Sequence, residues 1–318
     1  MRAGTACRAN LFTGLETRGI LNNALTVDLE DYYHVSAFAK QIDPASWGVM
    51  ASRVEGNTQR LLDVFAAADC KATFFSLGWA AEQNPALVLR VAEAGHEIAC
   101  HSHQHRYVYA LTPSEFREDT ARAKKALEDA SGRSVVGYRA PSFSITTECL
   151  WAYEILAELG FVYDSSVFPV RHPNYGMHAA HRFPYKVATA AGDILEFPMP
   201  TLNFYGRRSP FGGGAYLRLL PEWYTKWAVR YVNEAEGQPV CMYLHPWEID
   251  PGQPRMRGAM SSRLRHYMGL GTTERKLCNL LKQFSFCQMS ALIGELYGRE
   301  PGVSLEEFVP NEKMVSSR

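Results

Sequence analysis

Four short stretches of this sequence gather side chains that bind metal, move protons or hold charge. They are Asp28-Leu29-Glu30-Asp31, His101-Ser102-His103-Gln104-His105, Arg139-Ala140-Pro141-Ser142 and His245-Pro246-Trp247-Glu248. Three histidines within five residues, just after an apolar run, exceed what a hydrogen-bonding surface turn requires. His101 and His105 stand four apart, and on one helical turn two imidazoles at that spacing face a single cation. Thiolates are absent nearby apart from Cys100, so the natural third ligand is a carboxylate. Two histidines and one carboxylate with open positions form a catalytic metal site, not a closed structural one. The acidic cluster supplies that carboxylate, because three acids in four residues repel one another when buried without a cation. Glu30 is the first choice of ligand and Asp31 its rival. Asp28, which ends the apolar run, is placed to accept a proton from the reacting water. Arg139 can hold that carboxylate, with Pro141 biasing Ala140 towards extended backbone and so fixing the turn. His245 suits a general acid, since an imidazole titrates near neutrality.

Each stretch alone also has a plain reading as a solvated turn, a surface ion pair or a satisfied core histidine. Their shared position argues for chemistry. Each follows a short apolar run: Ala24–Val27, Glu97–Cys100, Val135–Tyr138 and Val240–Leu244. Amphipathic segments lie between such runs. One begins near Asn57, one at Asn84-Pro85 with Gly95 as its stop, and one at the capping-box sequence Thr112-Pro113-Ser114-Glu115. Repeated β-then-α spacing predicts an α/β fold of parallel strands joined by right-handed crossovers, in an open sheet or a barrel. Reactive groups in such folds collect at the carboxyl ends of strands. The stretch from about 165 to 220 is loop-rich, with Gly212-Gly213-Gly214 among its breakers.

Composition narrows the class. The 318 residues carry 33 Lys+Arg against 33 Asp+Glu, so the chain lacks the basic excess of a general nucleic-acid binder. Its longest run without a charge, 12 residues from Gln283 to Gly294, is too short for a transmembrane helix. Seven cysteines with no CxxC pair do not resemble a disulfide framework, and no secretory signal pattern opens the chain. A cytoplasmic location is expected, with peripheral contact at the inner membrane surface and homo-oligomerisation allowed. From Gln253 to Lys276, six basic residues, including Arg263 and Arg265, face Glu274 alone. That excess suggests either a solvated helical face or a site for an anionic glycan or a lipid-linked sugar pyrophosphate.

These motifs resemble those of the NodB-homology polysaccharide deacetylases, metal-dependent enzymes that remove acetyl groups from glycans. Thr26-Val27-Asp28-Leu29-Glu30-Asp31 is similar to the family's acid motif, although adjacent aspartates are commoner there. His101–His105 matches H-[ST]-x-x-H, Arg139–Pro141 matches R-x-P, and Leu244-His245 matches the terminal motif. Tyr163-Asp164-Ser165-Ser166 is similar, more loosely, to a further acid motif. A longer likeness, over about residues 23 to 298, is to deacetylases of bacterial exosortase-associated exopolysaccharide loci. It rests on Val27–Phe38, Gly137–Ile145, Gly212–Gly214 and Leu244–Pro251.

The resemblance implies a distorted (β/α) barrel of the polysaccharide deacetylase type with a C-terminal extension. It places the catalytic domain at 23–250 and the extension at 251–298, flanked by an N-terminal segment 1–22 and a tail 299–318. It implies zinc, with cobalt, nickel or iron as alternatives, and an N-acetylated glycan substrate. It gives Asp164 the task of orienting the general acid and the Ser142 backbone N–H that of holding the oxyanion. Tyr32, Phe143, Trp247 and Trp79 are candidates for stacking on sugar rings. Two other functions stay open: hydrolysis of a small cyclic amide or ureide, and non-catalytic carbohydrate binding.

Overall fold

The computed structural model describes residues 21–297 apart from 40, 173 and 174, so the expectations for the chain before residue 21 and for the tail lie outside the described residues. Strand and helix alternate through the first half: β1 (Asn23–Leu29), α1 (Val54–Ala67), β2 (Thr73–Ser76), α2 (Gly78–Gln83), α3 (Pro85–Glu93), β3 (Glu97–Cys100), α4 (Pro113–Ser131), β4 (Gly137–Tyr138), α5 (Trp151–Glu158) and β5 (Tyr163–Asp164). Then come β6 (Tyr185–Val187), β7 (Ile194–Glu196) and a separate hairpin, β8 (Thr201–Phe204) and β9 (Arg207–Pro210). The chain continues through α6 (Ala215–Leu219), α7 (Glu222–Arg230), β10 (Cys241–Leu244), α8 (Met260–Tyr267), α9 (Leu270–Leu281), β11 (Phe286–Cys287) and α10 (Met289–Tyr297).

The main sheet runs β10-β1-β2-β3-β4-β5-β7-β6, and every pair is parallel except β6 with β7. All seven residues of β1 are buried, as a parallel strand covered on both faces requires. Among the described residues no strand joins β6 back to β10. The sheet is a curled half-barrel, which is the distorted form of the expected barrel.

Local signals set several helix starts. Asn84 accepts a hydrogen bond from the Leu87 N–H with Pro85 in the first turn, and Thr112 and Glu115 complete a capping box. The start of α1 differs from the expectation at Asn57. The helix opens at Val54, and the Arg53 and Val54 N–H groups donate to the Asp31 carboxylate. That cap comes from more than twenty residues upstream, so no local pattern announces it.

The segment beyond residue 250 completes the sheet. Phe286 and Cys287 of β11 pair with Asn23 and Ala24 at the start of β1, and Met289 and Leu292 of α10 are buried with Ala24 and Phe75.

Candidate active site

In a strand, alternate side chains face the same way. Thr26 and Asp28 therefore share a face at the end of β1; just past the strand, the Glu30 N–H donates to the Asp28 carbonyl and the chain turns. The ends of β1, β3, β4 and β10 meet around a cleft of about 260 Å³ whose lining includes Asp28, Glu30, His101, His105, Ser142 and His245.

Arg139, wholly buried, donates from Nη1 to Asp28 Oδ1 at 2.7 Å and to Thr26 Oγ1 at 2.9 Å. Its Nε donates to the Ser165 carbonyl at 3.2 Å and its Nη2 to Ser165 Oγ at 3.0 Å, while the guanidinium carbon lies 4.0 Å from the centre of the Phe75 ring. A guanidinium fixed on so many sides gives Asp28 one orientation and leaves Oδ2 towards His245, whose Nε2 is 3.9 Å away.

Glu30, His101 and His105 form the one three-residue cluster of metal-ligating side chains among the described residues, with ligand atoms all within 4.8 Å of one another. Both imidazole Nε2 atoms lie 2.9 Å from Glu30 Oε1. His101 Nδ1 lies 2.8 Å from the Arg139 carbonyl oxygen, which only accepts, so Nδ1 carries a hydrogen. In the neutral ring Nε2 then presents a lone pair to the carboxylate, and a cation between them removes the conflict. The donor set of two imidazoles and one carboxylate fits a divalent metal of the zinc class. Burial works against an ionised Glu30, but positive charge at His105 and the close approach of both imidazoles outweigh it and hold the carboxyl well below its usual range.

The histidines meet by a different route from the expected helical turn. Residues 101–107 are not helical, and Ser102 and His105 adopt left-handed backbone with φ of 64° and 54°. His103 turns away: its backbone N–H donates to Asp119, and its Nε2 is 3.7 Å from Glu82. Asp31 is corrected as a ligand. Its Oδ2 accepts from Ser52 Oγ and the Arg53 and Val54 N–H groups, and its Oδ1 from the Tyr32 N–H, so its acceptor positions serve the cap of α1.

Ser142 and Phe143, just after Pro141, also adopt left-handed backbone, with φ of 53° and 55°. Such conformations cost about 1–3 kcal/mol each and persist where surrounding structure imposes them. Both residues line the cleft, and Ser142 Oγ is 2.7 Å from Ser36 Oγ.

Asp164 does not reach His245. It is wholly buried, accepts from Ser166 Oγ at 2.6 Å and from the Ser166 N–H at 3.1 Å, and hydrogen-bonds Glu196. Burial pushes both carboxyls up, and two carboxyls in contact hold a proton between them. The carboxylate on His245 is Glu248. Its Oε2 lies 3.0 Å from the His245 backbone N and 3.2 Å from Nδ1, and its Oε1 accepts from Arg218 Nε at 2.5 Å. Burial alone lowers an imidazole's pKa, but the hydrogen bond and charge of Glu248, with Glu30 and Asp28, raise His245 to about 9. Burial likewise opposes an ionised Glu248, yet Arg218 and His245 hold it down to about 2. Glu248 stood in the sequence three residues after His245, a spacing that could have flagged it, whereas nothing local marked Arg218.

The aromatic candidates divide. Phe143 and Trp247 line the cleft, where Trp247 stacks between His245 and His266 with ring centres 5.0 and 4.3 Å away. Tyr32 is corrected: it is a core residue packed with Tyr33 and Trp47, and its hydroxyl donates to the Ala51 carbonyl. Trp79 lines a different pocket, with Trp47 and His34. Tyr243, Tyr175 and Tyr216, which the motifs did not single out, complete the cleft wall. The basic run from residue 253 breaks up as well. Arg275 pairs with Glu222, Lys276 donates to three backbone carbonyls, and Arg255 lies over Tyr267, leaving Arg265 as the member of the run that lines the cleft.

The six cysteines within the described residues are free, and no helix among those residues is long and apolar enough to cross a membrane.

Residues 47–163 match the polysaccharide deacetylase family, and residues 165–294 match a domain of unknown function, DUF3473. A peptidoglycan deacetylase of Helicobacter pylori is 31% identical over 127 residues, 39% of this chain and 41% of that protein. A peptidoglycan-N-acetylglucosamine deacetylase of Bacillus cereus is 33% identical over 98 residues, 30% of this chain and 36% of that protein. The chain thus spans less than half the length of these relatives. A Mycobacterium smegmatis protein assigned to the polysaccharide deacetylases has the same fold, with a TM-score of 0.57 and 20% identity over 91% of this chain and 96% of that one. An allantoinase shares it too, with a TM-score of 0.56 and 16% identity over 89% and 91% of the two chains. The family match over residues 47–163, the partial deacetylase relatives and the shared fold all point to likeness with the polysaccharide deacetylases.

Proposed function

We propose that this chain is a metal-dependent hydrolase that removes N-acetyl groups from a bacterial exopolysaccharide or its lipid-linked precursor, with residues 23–298 acting as one catalytic unit. The observation that carries the reading is one cleft holding both Asp28, fixed by Arg139, and the Glu30–His101–His105 cluster. Glu30, His101 and His105 would hold a divalent cation of the zinc class, which would supply Lewis acidity towards a carbonyl oxygen and a water.

The rest falls to the chain's own groups. Asp28 Oδ2 takes a proton from the water that attacks the carbonyl carbon, while Arg139 keeps the carboxylate aimed. The Ser142 N–H donates to the carbonyl oxygen as negative charge gathers there, in keeping with the left-handed turn it occupies at the cleft. His245 gives a proton from Nε2 to the departing nitrogen, so that the C–N bond breaks to acetate and a free amine. His245 Nε2 and Asp28 Oδ2 are 3.9 Å apart, beyond direct hydrogen-bond reach, so the proton returns between turnovers by way of a water. Phe143 flanks this centre and offers a face for a sugar ring, whereas Trp247 is stacked between His245 and His266 and braces the general acid.

Acetate release from N-acetylglucosamine oligomers tests the reading, with ring opening of cyclic ureides as the competing assay. Acetate release that Asp28→Asn lowers about 10²–10⁴-fold supports it. Ring opening without acetate release overturns it.

A further inference from the structure

The carboxylate behind His245 comes from the part of the chain whose family match carries no assigned function. Residues 165–294 contain His245, Glu248 and Arg218. Glu248 is wholly buried and Arg218 nearly so, and they meet only because of how the chain is folded between them. Gly213 makes this possible. Its backbone bridges Tyr243 of β10 at a φ of 141°, and a Cβ there would lie 2.0 Å from the Tyr243 carbonyl oxygen. Gly214 then leads into α6, which carries Arg218 to the far side of the Glu248 carboxylate. The remaining reach of Arg218 is spent on backbone. Its Nη1 donates to the carbonyls of Arg265, His266 and Met268, at 2.9, 2.8 and 2.9 Å, tying the end of α8 to the same ion pair.

The geometry fixes what Glu248 can do. It does not face the Glu30–His101–His105 cluster; it touches His245 at the backbone N–H and at Nδ1, the ring atom opposite the one nearest Asp28. A carboxylate on Nδ1 keeps a hydrogen there and leaves Nε2 as the atom that gives or takes a proton.

We propose that Glu248 is the positioning residue for the general acid, braced by Arg218, and that the 165–294 region supplies the proton-donating half of the catalytic centre. This rests on the deacetylase reading for its reaction, and its contact set stands apart from that reading. In the step concerned, the C–N electron pair goes to nitrogen, nitrogen takes the Nε2 proton, and the Nδ1 hydrogen stays on the Glu248 side.

Glu248→Gln keeps the size and an acceptor oxygen while removing the charge. Two substrates separate positioning from general damage: an N-acetylglucosamine oligomer, whose amine must be protonated to leave, and 4-nitrophenyl acetate, whose phenolate leaves without it. The expected result is a fall in kcat of about 10²-fold on the acetamide with KM unchanged, and ester turnover within about threefold of the parent. Equal losses on both substrates, or none on the acetamide, overturn the proposal. A second readout needs no turnover. In ¹⁵N-histidine spectra of the metal-free protein, the expected result is a His245 midpoint near 9 that Glu248→Gln lowers by about one unit or more. An unmoved midpoint overturns the positioning role, whereas a moved midpoint in a protein that releases no acetate from either substrate removes the deacetylase reading alone. Because Glu248→Gln leaves Arg218 buried without its counter-charge, the double variant Glu248→Gln with Arg218→Met provides the same titration test if the single variant fails to fold.

Discussion

At the scale of single residues, the neighbouring acids Glu30 and Asp31 meet different partners, two imidazoles and the cap of α1, and substitution tests whether their roles differ likewise. Glu30→Gln should abolish tight zinc binding while leaving unfolding by urea little changed. Asp31→Ala should keep the metal and cost about 1–3 kcal/mol, since it strips the cap from α1 and leaves buried N–H groups unpaired. Zinc titration beside urea melts reads both outcomes, and the reverse assignment fails if Asp31→Ala loses the metal. Arg139→Ala should be harsher, about 3–5 kcal/mol, because it leaves Asp28 buried without its partner. The His245–Glu248 pair makes stability depend on pH. Burial opposes a charged His245, but Glu248 and the other nearby acids raise it from 6.5 to about 9, so its contribution is fully present below about 6.5 and is lost as pH rises through 9. Urea melts of the metal-free protein should therefore show wild type losing stability over that window more steeply than Glu248→Gln. Most of these residues were legible in the sequence because metal ligands and proton carriers are few in kind and stood together. The choice between Glu30 and Asp31 was not, since it turns on how the chain leaves β1 and on a cap supplied across more than twenty residues.

At the scale of elements, the strand ends were readable and the turns between them were not. Apolar runs followed by reactive groups located β1, β3, β4 and β10, because parallel strands buried on both faces leave only their ends for chemistry. The His101–His105 spacing invited a helix, yet left-handed Ser102 and His105 bend the chain to bring the same two rings together. Gly in place of Ser102 relieves that backbone strain but removes the Ser102 Oγ that accepts the His105 N–H at 3.0 Å. Ser102→Gly should therefore leave stability within about 1 kcal/mol of the parent while weakening zinc binding, as competition with a chelating dye would report. Tight binding retained in full would show that the turn does not position His105. Asp164 was misread for a related reason: its motif marks a strand end, but the chain runs on so that Asp164 meets Glu196, and Glu248 fills the place beside His245.

At the scale of the whole molecule, zero net charge concealed a sorted distribution. In the basic run near the C-terminus, Arg275 pairs with Glu222, Lys276 caps three carbonyls, Arg255 lies over Tyr267, and Arg265 stands at the cleft wall. Arg265→Ser should therefore weaken turnover of an anionic glycan and spare a neutral one, with Arg263→Ser as a control outside the cleft; equal losses on both glycans would argue against charge recognition. Nothing in the periodicity showed that β11 and α10 return to pack on β1, a pairing across more than 260 residues. The fold brings residues from 28 to 266 around one cleft, and what that cleft binds decides its chemistry. Equilibrium dialysis of the full chain against zinc measures it directly. The account predicts about one ion per chain, lost in His101→Ala and kept in Asp28→Asn, with acetate release following the metal in the parent. A chain that binds no divalent ion, or that releases acetate fully after exhaustive chelation, would contradict it.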